Sequence, residues 1–89
     1  MRWRIEFSKT GERDLAALDR PVRREIIDRI EWLSENFDEC GPLPLHGQWR
    51  GFFKLRVGDW RVAYTFDASK QLVSIRVIDH RSKIYKRSI

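Results

Sequence analysis

One cysteine, Cys40, is all the 89-residue chain has. A single thiol excludes an internal disulfide and any zinc site built on cysteines. No apolar run approaches the ~18 residues needed to cross a bilayer. The opening "MRWRIEFS" alternates charged and apolar side chains, where a secretory signal would show a continuous apolar block. A cytoplasmic protein is therefore expected. Paired carboxylates, a nucleophile elbow, a P-loop and metal-ligand spacing are all missing, so neither cofactor nor metal is expected. Acid is also in short supply: 13 Asp and Glu stand against 18 Lys and Arg, for a net charge of +5. That imbalance favours a polyanionic partner, whether RNA, DNA or an acidic protein.

Glycine and proline are few, and they cluster. Three of the five glycines and two of the three prolines lie in "FDECGPLPLHGQWRG", which reads as loop. The rest is free to be regular. Trp3, Ile5 and Phe7 alternate with Arg2, Arg4 and Glu6, as in a half-buried strand. Ser8 offers a cap for a helix over Lys9 to Leu18. Asp19 and Pro21 open a second helix, in which Val22, Ile26, Ile30 and Leu33 recur at helical spacing and which is expected to end near Asn36. Strands follow at Phe52–Val57, Trp60–Phe66 and Leu72–Asp79, and the tail is "HRSKIYKRSI". The order β-α-α-β-β-β predicts an α+β fold in a single domain over residues 1–89, with a helical hairpin on one face of a mainly antiparallel sheet. A chain this short buries only roughly 60–65% of its unfolded surface, so the core is small.

The stretch "KLRVGDWRVAY" fixes its own geometry. With Gly58 and Asp59 as a two-residue turn, Val57 pairs with Trp60, Arg56 with Arg61, Leu55 with Val62, Lys54 with Ala63 and Phe53 with Tyr64. Phe53, Leu55, Val57, Trp60, Val62 and Tyr64 then form an apolar face for the helices. Phe52, Lys54, Arg56, Arg61 and Ala63 form the open face, which gathers three cations and no acid from either strand. One reading is a wet, basic surface. The other is a phosphate cradle, in which guanidinium forks grip phosphate oxygens and a lysine adds a point charge.

In the last strand Val73, Ile75 and Val77 are expected to face the core, with Ser74, Arg76, Ile78 and His80 opposite. Arg76 and His80 would then extend the basic face, with Arg81 and Tyr85 just beyond the strand. An imidazole titrates nearest neutrality, which makes His80 a reserve proton donor. Tyr85 is placed to stack on a base or bond a ribose, or simply to close the sheet edge. His46, Trp49 and Cys40 read as loop residues, and Trp32 as a helix-face contact.

"KLRVGDWRVAY" followed by a β-branched strand and "HRSKIY" resembles the RelE/ParE superfamily of type II toxins. "WRIEFSKTGERDLAALDRPVRREIIDRIEWL" is similar to its strand and helical hairpin, and "PLHGQWRGFFKLRVGDWR" to its approach to the basic hairpin. The RelE branch cuts mRNA in the ribosomal A site through the ribose 2′-hydroxyl, without a metal. The ParE branch poisons DNA gyrase. By resemblance, Lys54, Arg61, Arg81 and Tyr85 take the catalytic positions; Arg56, Arg76 and His80, placed by the strand pattern on the basic face, are expected to bind RNA phosphate. RelE has a further lysine where this chain has Phe52, and Arg56 is the candidate to supply that charge. Lys54, Arg61, Arg81 and Tyr85 together favour an mRNA-cleaving toxin, with the gyrase poison as the alternative. The resemblance also implies two kinds of partner: an acidic antitoxin over the basic face, and mRNA on the ribosome.

Overall fold

The computed structural model describes residues 2–88. Met1 and Ile89, the two ends of the expected domain and of its terminal stretches, lie outside the described residues. The elements run β1 (Arg4–Phe7), α1 (Lys9–Ala16), α2 (Arg20–Cys40), β2 (Leu43–Pro44), β3 (Phe53–Val57), β4 (Trp60–Asp67) and β5 (Leu72–His80), with 3-10 turns at Gly47–Trp49 and Ile84–Lys86. The sheet order is β1-β5-β4-β3-β2. β1 pairs with β5 in parallel, and the other neighbouring strands pair antiparallel. The expected α+β fold is what forms. The addition is β2, a two-residue edge strand inside the stretch read as loop.

Local chemistry sets the helix ends. The Ser8 hydroxyl accepts the Gly11 N–H at 3.0 Å and caps α1. Pro21 sits in the first turn of α2, where its missing N–H is harmless. Asn36 does break α2, with φ −119°, but the chain resumes helical geometry and runs on to Cys40, where Gly41 at φ +65° stops it. Cys40 is thus the end of a helix and not a loop residue. Its Sγ lies 3.7 Å from the Phe37 carbonyl oxygen, and burial pushes its thiol pKa up.

Ile26, Ile30, Leu33 and Phe37 of α2 are buried against Leu55, Val57, Val62, Tyr64, Val73 and Ile75 of the sheet, with Trp3 at the rim. The hairpin pairs as its two-residue turn dictates, Arg56 opposite Arg61 and Lys54 opposite Ala63.

The last strand departs from simple alternation. Ala63 pairs with Val77 but Tyr64 pairs with Ile75, so Arg76 is an extra residue in β5. Such a bulge turns two successive side chains to one side. Ile78 therefore joins the helix-side core, and Val77 does not: it faces the other way, in a second cluster with Leu45, Trp49, Ala63 and Ile84. Both residues reverse the expected assignment. The second cluster also means that the face expected to be open is partly roofed. The loop residue Trp49 and the tail residue Ile84, 3% and 1% exposed, cover the middle of the sheet. Full burial of a large apolar side chain contributes about 1.5–3 kcal/mol, so the loop and the tail are part of the folded core.

Candidate nucleic-acid interface

The cations occupy two neighbouring regions of the sheet face away from the helices. At the turn end, Arg56 lies opposite Arg61. Gly58 adopts φ +59°, which glycine tolerates, and the turn leaves carbonyls outside the ladder. Arg61 Nη1 donates to Gly58 O of the turn at 2.9 Å and to Trp60 O at the start of β4 at 2.8 Å. One guanidinium nitrogen is thereby fixed to the backbone, and the guanidinium makes no ion pair among the described residues. Ion pairs among the described residues join Arg81 to Asp59 and Arg87 to Asp14 and Asp79; none involves Lys54, Arg56 or Arg61. Arg81 sits beside the same turn. Its N–H donates to Asp59 O at 2.8 Å, and its side chain makes a loose 3.6 Å contact with the Asp59 carboxylate. Both side chains are more than half exposed, so this contact is weak and yields easily to a stronger anion.

One step along the strands, Lys54, Ala63 and Val77 share a row. Trp49 and Ile84 pack over its centre. Tyr85 comes next. It is 39% exposed, with its ring edge-on to Trp49 at 6.2 Å and its carbonyl oxygen accepting from Gln48 Nε2 at 3.5 Å. Arg76 lies on the same face, as alternation predicts, 6.0 Å from the Phe52 ring centre, and Gln48, Phe52, Arg76 and Ser88 line a shallow cleft there of about 500 Å³. Phe52 is thus an apolar platform under a guanidinium.

His80 is the exception. The bulge reverses its side, and it pairs with Trp60. Its ring stands edge-on to Trp60 at 5.5 Å, and Nδ1 is 2.8 Å from the Ser82 hydroxyl. It shares the helix-side face with Trp60, turned away from the cations it was expected to join. The structure therefore groups Arg56, Arg61 and Arg81 at the turn, and Lys54, Arg76 and Tyr85 around the second core, without His80.

Three charged residues escaped the sequence reading. Asp79 is the ladder partner of Arg61, so an acid does stand on this face. Its carboxylate is already engaged, by the His80 N–H at 2.8 Å and by Arg87 at 3.4 Å. Arg87 also bonds Asp14 of α1 at 2.9 Å. The only sequence signal was the position of Arg87, two residues after Tyr85. Among the described residues no group of three His, Cys, Asp or Glu side chains is placed to hold a metal ion, and no helix is long and apolar enough to cross a membrane.

Comparison with known proteins decides the family. The family model for the ParE toxin of the parDE type II toxin–antitoxin system matches residues 5–85. The chain belongs to this toxin family. Toxin RelG of Mycobacterium tuberculosis is 31% identical over 88 residues, covering 98% of this chain and 100% of the relative. Among solved structures, a chain of the toxin–antitoxin complex RelBE2 from M. tuberculosis superposes with a TM-score of 0.81 at 26% identity, covering 93% of this chain and 95% of that one. A mutant of Escherichia coli toxin RelE in the free state superposes with a TM-score of 0.73 at 19% identity, over 97% of this chain and 93% of that one; this likeness concerns the fold. The resemblance read from the hairpin and from "HRSKIY" holds at the level of the family, and this member of it is a type II toxin with the RelE-like fold.

Proposed function

We propose that this toxin is a metal-independent endoribonuclease that cleaves mRNA on the ribosome and so inhibits translation. The observation that supports the reading best is the Arg56–Arg61 pair, set beside Arg81, with neither arginine of the pair in an ion pair among the described residues. In-line attack by a ribose 2′-oxygen on the adjacent phosphorus builds negative charge on the phosphorane oxygens, and preorganised cations stabilise it. Arg61 is preorganised by its two backbone acceptors, which leave its other donors for phosphate. Lys54 is assigned the proton of the 2′-hydroxyl. The P–O5′ bond breaks as the new P–O2′ bond forms, leaving a cyclic phosphate, and the 5′-oxygen takes a proton from Arg81 or solvent. Arginine rarely gives up a proton, so Arg81 acts first through its charge. Tyr85 orients the ribose or stacks on a base. Arg56 and Arg76 hold neighbouring phosphates.

The proposed protein partner is an acidic antitoxin that covers this basic face; several of the similar structures are of toxins in complex with RelB-type antitoxins. The match to the ParE family model favours a second reading, a gyrase poison that binds without cutting RNA. A cell-free translation reaction programmed with one mRNA tests the proposal. Added toxin is expected to shorten that mRNA while it is being translated. Intact mRNA with protein synthesis continuing refutes it.

A further inference from the structure

We propose that Arg87 is a positioning residue for this site: its guanidinium locks the turn that carries Arg81 and Tyr85 onto the sheet, and it occupies Asp79 so that this carboxylate does not neutralise Arg61. The functional half of the proposal rests on the endoribonuclease reading; the structural half does not.

The tail has little else to hold it. Beyond Arg81, whose N–H bonds Asp59 O, its backbone N–H bonds are local: Lys83 N–H to His80 O, Lys86 N–H to Lys83 O, and Arg87 N–H to Ile84 O. A single 3-10 turn of this kind does not hold its own position. Beyond Arg81, its ties to the rest of the fold are Ile84 in the second core, the Tyr85 ring edge-on to Trp49, a long 3.5 Å bond from Gln48 Nε2 to the Tyr85 carbonyl, and Arg87 at the edge of β5. Arg87 Nη1 lies 2.9 Å from Asp14 Oδ2, 3.4 Å from Asp79 Oδ2 and 3.5 Å from Ile78 O. Asp14 is itself fixed. Its Oδ2 accepts the Ile78 N–H at 2.9 Å, a donor that lies past the end of the β1 pairing, where Phe7 meets Ile75. One guanidinium thus joins α1, β5 and the tail.

The environment makes the clamp stronger than the contact at Arg81. The Arg87, Asp14 and Asp79 side chains are 30%, 16% and 22% exposed, against 63% and 65% for Arg81 and Asp59. Water screens the partly buried set far less. Burial works against the Arg87 charge, but the Asp14 hydrogen bond and the two carboxylates outweigh it, and the guanidinium is held even more firmly protonated than usual. Without Arg87, two partly buried carboxylates lose their cation, and Asp79 has Arg61 directly across the ladder. Removal would loosen Tyr85 and offer Arg61 an internal anion at once.

Trp49 supplies a reporter. Its indole Nε1 is buried with no acceptor among the described residues, and its ring stands edge-on to Tyr85 at 6.2 Å, so its N–H resonance responds to movement of the tail. The test compares wild type, Arg87→Gln, Arg87→Lys and Arg87→Gln/Asp79→Asn, each at a temperature where circular dichroism shows it folded. mRNA cleavage during translation and the Trp49 indole N–H peak are both measured. Arg87→Gln is expected to slow cleavage on the order of 10- to 100-fold, the scale of a misplaced site, and to shift or broaden the Trp49 peak. Arg87→Lys retains more activity than Arg87→Gln. Adding Asp79→Asn recovers part of the loss. Wild-type cleavage in Arg87→Gln, or lost cleavage with an unmoved Trp49 peak, overturns the positioning role; no recovery from Asp79→Asn overturns the Asp79 half. If the wild type cleaves no mRNA, the endoribonuclease reading has failed, and the clamp is decided by the Trp49 peak alone: moved supports it, unmoved overturns it.

Discussion

Arg56 faces Arg61 directly across the β3–β4 ladder, and neither makes an ion pair with a carboxylate among the described residues. Like charges opposite one another destabilise a strand pair by up to about 1 kcal/mol. The fold carries that penalty on a face that also holds Lys54, Arg76 and Tyr85. An anion between the two guanidinium groups converts the repulsion into attraction, which is the physical content of the phosphate-site reading.

Arg61→Ala is expected to abolish mRNA cleavage. The substitution acts on the backbone as well as on charge, because Nη1 bonds the Gly58 and Trp60 carbonyls. Losing those bonds costs about 1 kcal/mol, and relief of the repulsion from Arg56 returns up to about 1 kcal/mol, so Tm is expected to move by less than roughly 4–8 °C, the shift that 1 kcal/mol makes in a domain of this size. Thermal denaturation followed by circular dichroism checks this. A fall of more than roughly 4–8 °C shows that Arg61 holds the turn by more than its relieved repulsion returns.

Tyr85 separates two roles by two substitutions. Phenylalanine keeps the ring and removes the hydroxyl; alanine removes both. If Tyr85 stacks on a base, Tyr85→Phe retains cleavage and Tyr85→Ala loses on the order of 1–3 kcal/mol of binding. If the hydroxyl orients the ribose, both variants fail. Cleavage undiminished in Tyr85→Ala removes Tyr85 from the site.

Gly11→Ala runs against the usual helix rule. Alanine in place of a helical glycine ordinarily stabilises by about 1 kcal/mol. Here an added Cβ collides with the Ile75 carbonyl oxygen, because α1 lies backbone-close on β5. Overpacking of this kind costs typically 1–3 kcal/mol, so Tm is expected to fall. A rise would show that α1 moves off the sheet without penalty.

Cys40 alkylation reads out the packing under the α2 kink. Burial raises its pKa, so less thiolate is present at a given pH than for an exposed cysteine. Reaction with iodoacetamide at pH 8 is expected to be slower in the folded protein than in urea, and the gap to narrow as pH rises. Equal rates in both states would show that the helix end is open.

Much of the site was legible because a two-residue turn leaves a hairpin only one register. Arg56 meets Arg61, and Lys54 meets Ala63, for that reason alone. The last strand carried no such constraint. "VSIRVI" reads as plain alternation, and nothing local marks Arg76 as the extra residue, yet that one insertion moved Val77, Ile78 and His80 to the opposite sides. Trp49 as a roof, and Arg87 as a clamp on Asp14, depend on contacts between segments far apart in the chain, which periodicity does not encode. The same is true of Asp79: it reads as the end of a strand until the bulge sets it opposite Arg61.

The central claim is that the basic face cuts RNA. It is tested most directly by mapping mRNA 5′ ends after the toxin is induced in cells without antitoxin, with DNA from the same cells examined for breaks. The account predicts new 5′ ends within translated reading frames, absent in Arg61→Ala, and intact chromosomal DNA. Whole mRNA together with double-strand breaks that require gyrase would contradict it.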